Sequence, residues 1–140
     1  MSKITPEEFE ALAYEHVPYV GTLGPKVIEL GGGEVVVRLP FHDQFLRPGG
    51  TVSGPVLMGL ADLAMYALVL SMIGRVELAV TTNLNCNFLR KPKPAAVIAK
   101  GKILKLGKRL AVGEVALYSE GDDDMVAHVT ATYSIPPERE

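Results

Sequence analysis

A single cysteine, Cys86, is all the thiol chemistry this sequence holds. One cysteine forbids an internal disulfide and cannot build a thiolate metal site alone. Set among alternating strand residues, it reads as a small core filler. Histidine is nearly as scarce. His16, His42 and His128 are too scattered for a metal triad or a nucleophile–base pair. No charge of one sign is in excess either: a net −2 argues against general nucleic-acid binding and gives no steering towards anionic partners. Repeats, low-complexity tracts and linkers are absent, so one domain over 1–140 is expected. The opening Met1-Ser2-Lys3-Ile4-Thr5-Pro6-Glu7-Glu8 is polar and acidic where a signal peptide would be hydrophobic, and the compartment expected is the cytoplasm.

What is present is apolar patterning. Hydrophobic residues make up 48% of the chain and charged ones 21%, a globular composition long enough to bury a core without staples. Thr5-Pro6-Glu7-Glu8 writes a helix start, with Thr5 as cap and Glu8 where a capping box wants its carboxylate. Phe9, Leu12 and Ala13 supply its apolar stripe, and Pro18 is expected to end it. Strands over Lys26–Leu30 and Glu34–Pro40 flank the Gly31-Gly32-Gly33 turn. No helix follows that triplet, so it reads as a hairpin and not as a phosphate loop.

A turn-rich loop over Phe41–Gly54 leads into Pro55–Ile73, 19 residues carrying one charge, Asp62. The length approaches a membrane span, but a carboxylate at mid-bilayer is costly and no basic cluster flanks either end. A helix buried within the protein is expected, capped by Ser53 or Gly54 and stopped by Gly74. Gly59, Ala61, Ala64 and Ala67 would let neighbours approach closely. Beyond Gly74 the period becomes two. Leu78, Val80, Thr82, Leu84, Cys86 and Phe88 are expected on one face, and Ala79, Thr81, Asn83, Asn85 and Asn87 on the other. Three more strand-like runs follow, Ala95–Leu106, Leu110–Ser119 and Met125–Ile135, separated by hairpin-type turns.

This order, with the segment Gly49-Gly50-Thr51-Val52-Ser53-Gly54-Pro55-Val56-Leu57-Met58-Gly59-Leu60-Ala61-Asp62, resembles the PaaI-like acyl-coenzyme A thioesterases of the hot-dog fold. The resemblance covers about residues 20 to 136. It implies an α+β architecture: about six antiparallel strands curved around one long buried helix, with a short N-terminal helix. It also implies an acyl-CoA substrate, no cofactor or metal, and a homodimer or a dimer of dimers, with neither nucleic acid nor membrane as partner. Members carry His-Gly-Gly at the helix entrance, where this chain has Ser53-Gly54-Pro55. The family's upstream Asn falls at Arg47.

Asp62 stands out without any family. An unpaired, dry carboxylate in an apolar helix costs several kcal/mol, and Met58, Gly59, Met65 and Tyr66, its helical neighbours, include no base. It is hydrogen-bonded to a nearby strand, or points at a solvent channel, or is poised for chemistry as general base or nucleophile. Gly54 offers a backbone N–H at the helix start for a developing oxyanion, which Pro55 cannot. Eight residues of helix separate them by about 12 Å. One carbonyl cannot reach both, so two antiparallel helices in a two-fold dimer are expected to bring Gly54 of one copy beside Asp62 of the other.

Thr81 matches the family's strand hydroxyl, with Thr82 as the competing choice on the opposite face. Ser53 either donates a hydrogen bond in place of the histidine or caps the helix. Arg47 either polarises the carbonyl or decorates the loop. For the CoA phosphates there are two basic groups, Arg90, Lys91 and Lys93 at a strand end, and Lys105, Lys108 and Arg109 around a turn. Met58, Met65 and Met72 form a core stripe or an acyl-tunnel lining. The alternatives to a thioesterase are a non-catalytic acyl-CoA sensor, which the Ser53 and Pro55 changes favour, and a hot-dog dehydratase, which would need a histidine near the helix.

Overall fold

The computed structural model describes residues 2–137. Helix α1 (Pro6–His16) starts at the expected capping box: the Glu8 amide donates to Thr5 Oγ1 at 3.0 Å and the Thr5 amide to Glu8 Oε1 at 2.9 Å. Pro18 does more than end it. It takes the first position of a second helix, α2 (Pro18–Leu23), which stops at Gly24 with φ 74°. Proline ends one helix and suits the first turn of the next, where its missing N–H costs nothing.

Strands β1 (Lys26–Gly31) and β2 (Glu34–Leu39) form the hairpin, with Gly32 and Gly33 at φ 63° and 77°. Both positive angles suit the tight turn that matches strand twist. The following loop folds more than expected, into a 3₁₀ turn (Asp43–Phe45) and a small ribbon of β3 (Leu46–Arg47) and β4 (Thr51–Val52). Then come α3 (Gly54–Ile73), β5 (Val80–Phe88), β6 (Val97–Leu106), β7 (Leu110–Ser119) and β8 (Met125–Ser134). Six strands make one antiparallel sheet in the order β1-β2-β6-β7-β8-β5, with α3 packed along it.

The length and mean hydropathy of α3 (2.1) would suit a membrane, but 72% of that segment is buried inside the protein. It is the core helix. Ala61, Ala64 and Ala67 are fully buried, and Gly59 lets the Tyr19 ring of α2 within 2.9 Å of where a β-carbon would stand. Met65 lies equally close to Gly113 of β7, its sulfur 2.7 Å from such a position. Both glycines are therefore sites of close approach.

The expected alternation of β5 is corrected by a bulge. Thr81 pairs with Tyr133 and Asn83 with Thr132, leaving Thr82 without an opposite residue. An extra residue reverses the facing of everything before it. Thr81 therefore shares the inner side with Leu84 and Cys86, while Thr82 is exposed. Cys86 packs partly against the core, and burial raises its thiol pKa, which fits an inert filler.

Candidate active site

Of the charged groups on α3, only Asp62 exists, and it is neither fully buried nor unpartnered. Thr81 Oγ1 donates to its Oδ1 at 2.6 Å. The register explains the contact: β5 is the outermost strand on that side, and the bulge at Thr82 turns Thr81 inward, towards the helix. The geometry thus separates the two threonines. The Thr82 hydroxyl donates instead to the Thr132 carbonyl at 3.2 Å, away from the carboxylate.

Tyr133 of β8 reaches the same aspartate, and the sequence alone gave no sign of it. Its hydroxyl lies 3.2 Å from Asp62 Oδ1 and 3.2 Å from the Asp62 carbonyl. The ring stacks on Tyr66 at 6.1 Å, and Tyr66 in turn donates to the Glu77 carbonyl at 2.9 Å. Burial first, then the negative charge of Asp62, push the Tyr133 pKa well above its ordinary 10.0. The phenol stays protonated and acts as a donor. The signal in the sequence was a tyrosine at an inward strand position, indistinguishable there from any core aromatic.

Gly54 is the first residue of α3, and Phe88 closes over it: a β-carbon at Gly54 would stand 3.2 Å from the ring. Ser53 holds the cap position, yet its hydroxyl makes no capping bond, so that group stays available for a ligand. Pro55 is exposed beside it. A cavity of about 420 Å³ opens here, bordered by Arg47, Gly54, Phe88, Arg90 and Lys91. Four of the sequence-derived site residues thus meet at the helix start. Arg90 is partly neutralised by Asp124, and Lys93 lies 3.5 Å from Asp122.

Lys108 stands apart from them. With Arg75 and Arg109 it borders a second cavity of about 700 Å³ at the far end of α3, floored by Ile73, Val76 and Ile135. No cluster of three metal-ligating side chains occurs among the described residues.

A long helix embraced by one curved antiparallel sheet defines the hot-dog fold. Residues 49–126 match the thioesterase superfamily, and this chain belongs to it, as a PaaI-like thioester hydrolase. It is similar, at 43% identity, to a crystallised protein of Silicibacter sp. TM1040 with a provisional thioesterase description. The match covers 98% of this chain and 95% of that one, with a TM-score of 0.89. The phenylacetic acid degradation protein PaaI of Thermus thermophilus, solved as a point mutant, is 29% identical over 85% of this chain and 99% of its own, with a TM-score of 0.75. A Saccharolobus solfataricus protein with a provisional esterase description is 28% identical over 113 residues, 81% of this chain and 79% of its own.

Proposed function

We propose that this protein hydrolyses acyl-coenzyme A thioesters to a carboxylic acid and free CoA, in a cytoplasmic homodimer whose sites each draw on both copies. The observation that carries this reading is the Asp62 carboxylate, held through Oδ1 by Thr81 with Oδ2 left over. Oδ2 has no hydrogen-bond partner among the described residues, yet no buried side-chain oxygen lacks one, so Oδ2 reaches solvent.

As general base, Asp62 takes a proton from water, whose oxygen bonds to the thioester carbon. The C–S bond breaks and the thiolate recovers that proton. As nucleophile, Asp62 bonds to the same carbon and expels the thiolate, and water then cleaves the anhydride. Either route places negative charge on the carbonyl oxygen. Gly54 N–H at the positive end of a 20-residue helix answers that charge, with Ser53, Arg47 and Lys91 beside it.

The helix and the edge strand fit one two-fold axis. Along one copy, Gly54, Met58 and Asp62 form the stripe of α3 that the sheet does not bury, and Met58, midway, is 39% exposed. An antiparallel copy that sets its Gly54 against Asp62 centres the axis on Met58. The edge strand β5 runs beside this stripe, Phe88 at Gly54 and Thr81 at Asp62, so the same axis crosses it near Leu84 and Asn85. Opposed residues share a face while successive ones alternate, so a two-fold pairs one of these residues with its own copy. Exposed Val80, Phe88 and Leu89 on this edge gain cover in the process.

For the CoA phosphates, Lys108 and Arg109 at the larger cavity are the better candidates, because Arg90 and Lys93 already have carboxylate partners.

The test is a thiol-release assay over short, long and aromatic acyl-CoA substrates, run beside Asp62→Asn. The wild type should hydrolyse at least one, and the variant should lose at least about a hundredfold. Full activity in Asp62→Asn refutes the site. Tight binding of an acyl-CoA without cleavage would establish the sensor reading instead.

A further inference from the structure

We infer that Tyr133 is a positioning residue: together with Thr81 it pins Oδ1 of Asp62, so that Oδ2 is the oxygen that meets water or the thioester. The inference rests on the hydrolytic reading above and assigns the two oxygens of its carboxylate.

Thr81 and Tyr133 are direct cross-strand partners in the β5–β8 ladder, and both hydroxyls reach one atom, Oδ1, at 2.6 and 3.2 Å, the phenol sharing its single proton with the Asp62 carbonyl, also at 3.2 Å. Two donors on one oxygen restrain the carboxylate against rotation about its last bond. Its other oxygen then has a fixed direction, which productive attack requires. The tyrosine is itself rigid. It is 3% exposed and stacked on Tyr66, whose hydroxyl is anchored on the Glu77 carbonyl, so the brace runs from the loop after α3 back to the third turn of the same helix.

Tyr66 is the other titratable side chain in contact with this brace. From β2, β6 and β7 the helix meets buried apolar residues such as Val37, Ala99 and Val115.

Tyr133→Phe keeps the ring, its stacking and its volume while removing the hydroxyl. We expect kcat to fall about tenfold with KM within twofold, the scale of one hydrogen bond to a charged group. The carbon-13 resonance of the Asp62 carboxyl at pH 7 should move from its wild-type position, because the phenol's hydrogen bond to Oδ1 is gone. Thr81→Ala, tested in parallel and combined with Tyr133→Phe, should lose less alone than in the pair, since each donor partly covers for the other. A variant Tyr133→Phe with wild-type kcat and an unmoved Asp62 carboxyl resonance overturns the inference, as does a rise in KM with kcat unchanged. Should the wild type cleave no thioester, the hydrolytic reading fails while the NMR comparison at fixed pH still decides whether Tyr133 holds the carboxylate.

Discussion

The ring of Phe88 lies against Gly54, its Cζ 3.2 Å from the place a β-carbon would take. Gly54 is absent from the glycines with positive φ, so alanine fits its backbone. A methyl there instead crowds the approach to the helix's first N–H. Gly54→Ala should keep its circular dichroism and lose about a hundredfold in kcat, the scale of one oxyanion donor. Unchanged turnover in a folded Gly54→Ala would show that this amide faces no substrate.

Met58 tests the assembly. On the axis inferred for the dimer it meets its own copy, so Met58→Glu sets two like charges face to face. Sedimentation should then report a monomer and the thiol-release assay no turnover, while the α+β spectrum persists. An active, dimeric Met58→Glu would place the interface elsewhere.

Lys108 borders the 700 Å³ cavity, whereas Arg90 already has Asp124. Lys108→Glu is expected to raise KM for acyl-CoA about tenfold, near the 1.4 kcal/mol of one favourable contact reversed, and to leave KM unchanged for an acyl cysteamine thioester, which has no phosphates. Arg90→Gln should matter less. The comparison is read directly from steady-state kinetics on the two substrates.

Alkaline pH should unfold this protein through its buried tyrosines. Burial is the leading cause that raises the pKa of both Tyr133 and Tyr66 above 10.0 in the folded state. Below pH 10 neither folded nor unfolded chain ionises these phenols, and stability is complete. As pH rises beyond 10 only the unfolded chain releases the protons, so stability falls. Urea midpoints measured from pH 8 to 11 should decline from about pH 10, and Tyr133→Phe should flatten the decline.

Much of the candidate site was legible because its signals are local. A lone carboxylate in an apolar run marks Asp62 wherever the helix lies, and Ser53-Gly54-Pro55 marks a helix start by backbone chemistry alone. Pro18 was half legible: a proline announces a boundary, but whether a new helix begins there depends on what Val20 and Leu23 can bury. Thr81 and Thr82 could not be separated, since a bulge is a mismatch between two strands and leaves no mark in one of them.

From its residues alone the chain determined its long helices and main strands, their order and the single charge in its core helix, since capping, turn chemistry and hydrophobic period act within a few residues. Only the folded arrangement decided what that charge touches. Asp62 and Tyr133 are 71 residues apart, and their meeting depends on one strand register and one bulge. Long-range packing sets both, through a shape that no short stretch of sequence contains.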